Sequence, residues 1–281
     1  MKLIMTLLVR NEEDILALNL DFHLNQGVNL IIVMDHLSDD GTRDILEDYA
    51  KQGVVEILEQ TNPGYYQGRW VTEMARRACT IHAADWIING DADEFWFPVE
   101  GTLHSTLVAT KSDIMSLKRY NFPPLKDAEP GEFYESMIFR DTASVNGLGR
   151  PLLGKCCHRA DPEVVVHQGN HWVAGPTLSK SERSSAIEIL HFPMRSFSQF
   201  DTKIRLGGRA YQTSPELDPR MGGVWRKLHR LQQSQGLEEY YQDQCMDRAE
   251  AERLCNEGRL EVDERLSYFL EHARRSEHSL A

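Results

Sequence analysis

The sequence lacks any apolar run long enough to cross a membrane. A helical span needs roughly 18 consecutive apolar residues, and no such run occurs in the 281 residues. The first apolar stretch is short and soon becomes acidic, which is not the pattern of a secretory signal. We therefore expect a cytoplasmic protein without a transmembrane segment, either free or peripheral to the inner membrane.

Positive charge and paired cysteines are also scarce. The chain has 31 basic and 43 acidic residues, a net charge of −12, and this excess of acid argues against a nucleic-acid partner. The five cysteines are odd in number and lack the paired spacing of a zinc site, although Cys156 and Cys157 are adjacent. This pattern favours reduced thiols.

The N-terminal third alternates apolar runs that predict strands with periodic segments that predict helices. The predicted strands are 2–9, 29–34, 54–58 and one that starts at Trp86, and the predicted helices are 15–27, 43–52 and 70–83. Such alternation predicts an α/β fold with a parallel sheet covered by helices on both faces. Ligands of these sheets bind beyond the carboxyl ends of the strands. Three such ends, at 10–12, 35–42 and 91–94, are therefore predicted to converge.

The most informative segment is Asp85–Phe95. The apolar run Trp86–Ile88 predicts a buried strand, and Asp91, Asp93 and Glu94 follow where that strand is expected to emerge into solvent. Carboxylates crowded in this way are tolerated around Mg²⁺ or Mn²⁺, which also bind substrate phosphates. The pattern points to nucleotide-diphosphate chemistry. The alternative is a strand followed by a solvated acidic turn.

Three motifs in the first hundred residues resemble the family 2 glycosyltransferases of GT-A fold, especially the branch with an Asp-Ala-Asp-Glu-Phe strand end. The motifs are Arg10-Asn11-Glu12-Glu13, Asp35-x-x-Ser38-x-Asp40-Gly41-Thr42 and 85–95. The resemblance implies a Rossmann-like, mostly parallel sheet flanked by helices. It further implies a glycosyltransferase domain at 1–206, with a nucleotide-sugar half at 1–100 and an acceptor half at 101–206, and a C-terminal extension at 207–281.

The resemblance also implies residue roles. Asn11, Glu12 and Asp35 would bind the nucleotide sugar, with Asp35 on the nucleoside. Asp91 would lie near the ribose or the metal, and Asp93 would be the direct ligand of Mn²⁺ or Mg²⁺. Many relatives carry a second acidic residue, often facing the base, where this chain has His36. A UDP-sugar is the first choice of donor, although His36 leaves the base open.

The second half carries weaker signals. Strands are predicted at 114–118, 155–159, 164–167 and 187–192. The resemblance implies that the last strand is followed by a short basic and aromatic helix, here at 195–203. By resemblance, His191 completes the metal site, which requires a neutral imidazole. The alternative for His191 is a histidine that packs at a strand end.

Two positively charged side chains are candidates for binding the diphosphate of the donor. Lys203 would stabilise the charge that builds on the leaving nucleotide, or it is a solvated surface lysine. Arg69, with Gln67, would reach the phosphates from the rim of the crevice. The alternative for that segment is a helix-entry loop.

The acceptor side has several candidates. Trp172 offers an aromatic face for a sugar ring beside His171, although a core tryptophan is an equal alternative. An inverting enzyme needs a general base for the acceptor hydroxyl. Glu188, Asp161 and His171 are candidates, with Glu188 ranked first because it lies near His191.

The C-terminal part is predicted to be a lid or linker followed by helices. Gly207-Gly208 and Gly222-Gly223 are typical of a lid that closes over the donor, or of an irregular linker. Helices are predicted at 224–235, 237–256 and 262–276. They would dock on the catalytic domain or pair with another subunit in a homo-oligomer.

Together these patterns predict a metal-dependent, hexosyltransferase-type glycosyltransferase. It would move a sugar from a nucleotide-diphosphate sugar to a hydroxyl of a glycan or another acceptor in glycan or polysaccharide biosynthesis, with inversion as the default that the resemblance implies. One alternative is a nucleotidyltransferase or sugar-nucleotide pyrophosphorylase, which would need a glycine-rich basic loop after the first strand. The other is a non-catalytic carbohydrate-binding relative.

Overall fold

The computed structural model describes residues 1–126 and 132–278, with side chains as far as His272 in the last helix. The strands are β1 Leu3–Val9, β2 Leu30–Asp35, β3 Val55–Glu59, β4 Trp86–Gly90, β5 Glu94–Pro98, β6 Ile114–Asn121, β7 Phe139–Asp141, β8 Lys155–Arg159, β9 Val165–Val166, β10 Val173–Ala174, β11 Ser181–His191 and β12 Leu260–Val262. The helices are α1 Leu16–Asn25, α2 Thr42–Lys51, α3 Gln67–Thr80, α4 Leu103–Ala109, α5 Phe133–Ser136, α6 Phe197–Gln212, α7 Gly223–Gln235, α8 Glu238–Gln244, α9 Arg248–Asn256 and α10 Arg265–His278. A short 3₁₀ turn covers Gln168–Asn170. None of the helices in this described part is long and apolar enough to span a membrane.

The chain forms two compact units that interleave along the sequence. The first unit comprises 1–119, 153–190 and 213–217, and the second comprises 120–152, 191–212 and 218–281, apart from residues outside the described ranges. The expected domain boundary after residue 206 falls inside α6.

An eight-stranded sheet has the order β3-β2-β1-β4-β8-β6-β11-β5. The strands β3, β2, β1 and β4 are parallel, and β8 runs antiparallel to β4 and to β6. The predicted α/β fold, with a large mostly parallel sheet flanked by helices, is confirmed. The register pairs Val9 with Asp35 and Leu7 with Gly90, so the carboxyl ends of β1, β2 and β4 lie at one edge.

The core of the first unit explains why the Trp86 segment forms a strand. Trp86, Ile87 and Ile88 are all fully buried, as expected of a parallel strand covered on both faces. The helix α3 packs its apolar side, which includes Trp70 and Met74, in the cluster that contains Ile87. Burying each such side chain contributes roughly 1.5–3 kcal/mol.

Two glycines that the sequence analysis placed in a lid or linker, Gly207 and Gly208, lie within the helix α6. A Cβ atom on Gly208 would lie 2.2 Å from Cγ of His229, and one on Gly207 would lie 2.4 Å from the ring of Trp225. The two glycines therefore permit close packing of α6 against α7. The irregular segment begins only after Gln212 and ends at Gly222, which has a left-handed backbone (φ 68°) at the start of α7.

The expected helix at 237–256 is two helices. The chain is extended at Cys245, and α9 begins anew after Asp247, whose side chain accepts a hydrogen bond from the backbone N–H of Glu250 (2.7 Å). Such a cap starts a helix because it satisfies an otherwise unpaired N–H group. The expected helix at 262–276 likewise divides into β12 and α10.

All five cysteines are free thiols. Cys156 and Cys157 are buried on β8, and burial raises the pKa of Cys156 to about 12. Cys79 on α3 and Cys255 on α9 are partly exposed. The two adjacent cysteines are therefore packing residues that stay protonated at neutral pH.

Candidate active site

The loops that follow β1 and β2 are tied together by side-chain hydrogen bonds. The amide of Asn11 donates to Oδ1 of Asp39 (2.5 Å) and accepts from the backbone N–H of Asp39 (2.9 Å). The N–H of Glu12 donates to the hydroxyl of Thr42 (2.9 Å). Asn11 has a positive φ of 54°, a conformation that asparagine tolerates. The structure thus brings the first two predicted strand ends together.

Asp35 ends β2 and is mostly buried. Its Oδ1 accepts a hydrogen bond from the N–H of Ser38 (3.1 Å), which holds the loop that follows. The neighbouring His36 is also buried, with its Nε2 2.8 Å from the carbonyl oxygen of Asn62. Burial lowers the pKa of His36. His36 is therefore a neutral histidine, and its ring lies 4.8 Å from that of Trp70.

The acidic turn between β4 and β5 differs from the expectation. Glu94 is fully buried at the start of β5, Asp93 is 4% exposed, and only the side chain of Asp91, at 29%, is substantially exposed. The expectation that all three carboxylates emerge into solvent is wrong, because the chain enters a second buried strand directly after the turn.

Asn19 on α1 holds this turn through hydrogen bonds to its backbone. Its buried amide donates to the carbonyl oxygens of Ala92 and Glu94, both at 2.9 Å. One helical turn later, Nδ1 of His23 lies 2.8 Å from the carbonyl oxygen of Asn19, and Nε2 accepts from the N–H of Trp96 (3.3 Å). Burial lowers the pKa of His23 to about 4, so the ring is neutral at neutral pH. The sequence patterns did not predict these hydrogen bonds of Asn19 and His23.

A buried lysine lies among the carboxylates. Lys155, at the start of β8, is 1% exposed, and its Nζ lies 2.5 Å from Oδ2 of Asp91 and 3.3 Å from Oε1 of Glu94. Arg119 on β6 adds a second cation, with Nη1 2.8 Å from Oε1 of Glu94. Neither cation was predicted. The only signal in the sequence was a charged residue beside the two apolar cysteines of β8.

The other oxygen of Asp91 is held by two amides. Nε2 of Gln67 donates to Oδ1 at 3.2 Å, and Nδ2 of Asn170 donates to it at 3.3 Å. Gln67 also accepts a hydrogen bond from the N–H of Gly169 (3.0 Å). Gln67, expected on the rim of the crevice, thus contacts the first aspartate of the acidic turn.

His171 directly follows Asn170, whose side-chain amide donates to Oδ1 of Asp91 (3.3 Å). Burial and then the charge of Lys155 lower the pKa of His171 to about 4. Its Nδ1 lies 2.6 Å from the carbonyl oxygen of Gly154. The neutral ring therefore carries its proton on Nδ1, which leaves the lone pair on Nε2.

Arg69 is exposed on α3 and lines a cavity of about 550 Å³. Trp172 is 58% exposed, and its carbonyl oxygen accepts a hydrogen bond from the N–H of His167, another residue of this cavity (2.9 Å). The remaining walls come from α3 and from the segment of β9, and include Gly68, Thr72, Arg76, Val166 and Gln168. The exposed face of Trp172 excludes the alternative of a core tryptophan.

The other candidate bases differ in their surroundings. Glu188 is half-buried on β11, on the face opposite to Ile187 and Ile189. Asp161 is fully buried, and its carboxylate accepts from the N–H and hydroxyl of Thr177 (2.9 and 2.6 Å) and from the N–H of Glu163 (2.8 Å). Burial alone would raise the pKa of Asp161, but these hydrogen bonds outweigh it and lower the pKa. Asp161 is therefore better explained as the anchor of a turn than as a base.

His191 and Lys203 belong to the second unit. Nδ1 of His191 lies 2.7 Å from Oδ1 of Asn121, while the amide nitrogen of Asn121 donates to the carbonyl of Val145 (3.0 Å). Since Oδ1 is then the acceptor, Nδ1 of His191 carries the proton and Nε2 carries the lone pair that metal coordination requires. Lys203 is half-buried on α6.

The residues predicted to bind a divalent metal fit it in their chemistry. Carboxylate oxygens of Asp91 and Asp93 suit a hard cation, and Nε2 of His191 suits Mn²⁺. Among the described residues, Oδ2 of Asp91 accepts from the ammonium group of Lys155, and the side chain of Asp91 is 29% exposed. Within the part of the chain that the structure describes, no group of three or more His, Cys, Asp or Glu side chains is already arranged around a metal position.

The sequence profile of glycosyltransferase family 92 matches residues 5–192. The fold and the match define the class of enzyme, a glycosyltransferase, as the sequence predicted. The chain belongs to glycosyltransferase family 92. The predicted resemblance was to family 2, and this match shows neither family 2 nor its branch with the Asp-Ala-Asp-Glu-Phe strand end.

Solved structures similar to the chain have low identity. They include residues 1–349 of Staphylococcus aureus TarS in complex with UDP, with 13% identity, 83% of this chain and 77% of that chain covered, and a TM-score of 0.45. A second structure of Staphylococcus aureus TarS has 13% identity, with 79% of this chain and 45% of that chain covered and a TM-score of 0.44. Mycobacterium tuberculosis glucosyl-3-phosphoglycerate synthase in complex with Mn²⁺, UDP and glucosyl-3-phosphoglycerate has 15% identity, with 57% of each chain covered and a TM-score of 0.33. No curated protein matches the chain.

Proposed function

We propose that this glycosyltransferase moves a sugar from a UDP-sugar to an acceptor hydroxyl in glycan or polysaccharide biosynthesis, with a divalent metal and with inversion. Membership of the family supports sugar transfer. The observation that carries the donor site is the acidic turn, which follows β4 at the edge where β1 and β2 also end. At that edge Asp91 is the partly exposed carboxylate, and it is fixed by three donors of the chain.

The nucleoside side of the proposed site is the pair of loops that follow β1 and β2. We assign Asp35 to the nucleoside, and Asn11 and Glu12 to the loop that frames it. Their hydrogen bonds to the second loop support this assignment, because they fix both loops before a ligand arrives. A preformed site loses less conformational entropy on binding.

Asp91 and Asp93 are the residues of the first unit that would hold Mn²⁺ or Mg²⁺, and the role of His191 stays a prediction from the sequence. Such a metal, when bound, would neutralise the diphosphate and favour its departure. We assign Arg69 to the same negative charge, since cations stabilise a leaving diphosphate, and the same role for Lys203 stays a prediction from the sequence. The half-buried position of Lys203 and the exposed guanidinium of Arg69 are compatible with these roles.

On the acceptor side, Trp172 would stack on a sugar ring, because its exposed face suits the apolar C–H surface of a sugar. We place Glu188 first as the general base and His171 second. Glu188 is placed first because it lies on β11, the strand that ends at His191.

The test of the proposal is the release of UDP from a panel of UDP-sugars with Mn²⁺, in the presence and absence of candidate glycan acceptors. The variant Asp93→Asn keeps the size of the side chain and removes its charge. We expect a loss of at least about a hundredfold in kcat/KM, since metal stabilisation of a leaving group is worth several kcal/mol. Asp48→Asn, in an exposed aspartate of α2, is the matched control and should keep full activity.

If no UDP-sugar is consumed and calorimetry detects no binding of UDP with Mn²⁺, the proposal is wrong. Near-normal turnover by Asp93→Asn would contradict the metal assignment alone. Formation of pyrophosphate from a sugar phosphate and UTP would instead support the alternative of a pyrophosphorylase, which family membership disfavours.

The two candidate bases are separated by matched substitutions. Glu188→Gln should lower kcat by about 10²–10⁴-fold with little change in KM, the size of a general-base contribution. His171→Gln should have the smaller effect on kcat. The reverse order would transfer the role of base to His171.

A further inference from the structure

The ammonium group of Lys155 lies where the carboxylates of the acidic turn would otherwise repel one another. Its Nζ is 2.5 Å from Oδ2 of Asp91 and 3.3 Å from Oε1 of Glu94, and the side chain is 1% exposed. A charge buried this deeply is retained only when it is paired, because the loss of hydration is large. Lys155 is therefore a fixed part of the site.

The charges of the four side chains that are paired here cancel. Asp91 and Glu94 contribute two negative charges, and Lys155 and Arg119 contribute two positive ones. A divalent cation that approaches Asp91 in the free protein meets a carboxylate already paired with an ammonium group. Like charges at close range repel strongly in a partly buried site, where water screens them poorly. A nucleotide diphosphate would bring the missing negative charge.

We propose that Lys155 is an internal counter-cation that keeps the free protein from binding a divalent metal at Asp91, so that metal and nucleotide diphosphate enter together. This inference rests on the proposed function. Lys155 acts through Asp91 and Glu94 and is a positioning residue. Because the site carries its own cation, it is stable when empty and does not depend on metal for folding.

The first measurement uses the wild-type protein, with free Mn²⁺ followed by electron paramagnetic resonance. Mn²⁺ alone should bind weakly. With saturating UDP, the protein should retain Mn²⁺ at least about tenfold more tightly than UDP retains it in buffer, the scale on which neighbours of a ligand change metal affinity. Equally tight binding of Mn²⁺ without UDP would overturn the proposal.

The second measurement uses Lys155→Met, which keeps the length of the side chain and removes the charge. Without nucleotide, this variant should bind Mn²⁺ at least about tenfold more tightly than wild type, and Mn²⁺ should raise its melting temperature. The melting temperature of the wild type should not respond. Lys111→Met, in an exposed lysine outside the cluster, should behave as wild type.

A purely structural lysine would give a different result. Lys155→Met would then be less stable, and Mn²⁺ would neither bind more tightly nor restore its melting temperature, which would refute the inference. If Lys155→Met does not fold, Lys155→Arg should still show the weak Mn²⁺ binding of wild type. The inference is then decided by Mn²⁺ binding to the wild-type protein with and without UDP. Failure of the sugar-transfer proposal is seen separately, as the absence of UDP binding under any condition.

Discussion

Replacing Asn19 by leucine should destabilise the first unit by about 2–6 kcal/mol. The substitution keeps the volume of the side chain but removes a buried amide that donates to the carbonyl oxygens of Ala92 and Glu94. Two net hydrogen bonds are worth about 1–3 kcal/mol together, and leaving buried carbonyls unpaired adds a penalty of similar size.

The measurement is equilibrium unfolding in urea near neutral pH, followed by tryptophan fluorescence. Four of the five tryptophans lie in the first unit, so the signal reports mainly on that unit. Asn25→Leu is the matched control, since Asn25 lies on the same helix and its amide donates to the carbonyl of Asp21 (2.9 Å) from an exposed position. It should change stability by less than about 0.5 kcal/mol.

If both leucine variants unfold at the same urea concentration, the carbonyls of the acidic turn do not depend on Asn19, and the proposed anchor is refuted. A selective loss for Asn19→Leu should also lower sugar transfer in folded protein. This follows because a site held by a loosened turn positions its ligands less well.

Three further predictions concern other parts of the molecule. Burial lowers the pKa of His23 and of His158 from 6.5 to about 4. Between these pH values the unfolded chain takes up protons while the folded chain does not. The free energy of unfolding therefore decreases as the pH is lowered from 6.5 to 4, by about 3 kcal/mol for each histidine. His23→Gln should therefore flatten the slope of unfolding free energy against pH by about 1.4 kcal/mol per pH unit, and an unchanged slope would contradict the assignment. Gly208→Ala should lower stability by about 1–3 kcal/mol, because its Cβ would overlap His229. The same change at Gly223, where the nearest contact is an ordinary 3.6 Å, should be neutral or stabilising in thermal unfolding.

The N-terminal strands and helices were predictable because local patterns determine them. Each strand is an apolar run between turn residues, and α2 and α3 have one apolar and one polar face. The strand β5 was missed because its first residue, Glu94, looks like the end of an acidic turn. The full length of β11 was missed because residues 181–186 are polar and partly exposed, so backbone pairing rather than an apolar pattern makes them a strand.

The site was predictable only in its acidic residues. Asp91 and Asp93 follow an apolar strand and can be found in the sequence, but their partners lie far away along the chain. Lys155 is 64 residues from Asp91, and Asn19 is 73 residues from Ala92. Contacts of this range depend on how strands are ordered in the sheet, and no local spacing encodes that order.

The distribution of thiols provides two native attachment points for spectroscopic probes. Cys79 is on the first unit and Cys255 on the second, and both are partly exposed, whereas Cys156, Cys157 and Cys245 are buried. Burial also raises the pKa of Cys79 and of Cys255, so maleimide dyes should be coupled at mildly alkaline pH. A dye at either site would report on the surroundings of the unit that carries it, without any engineered cysteine.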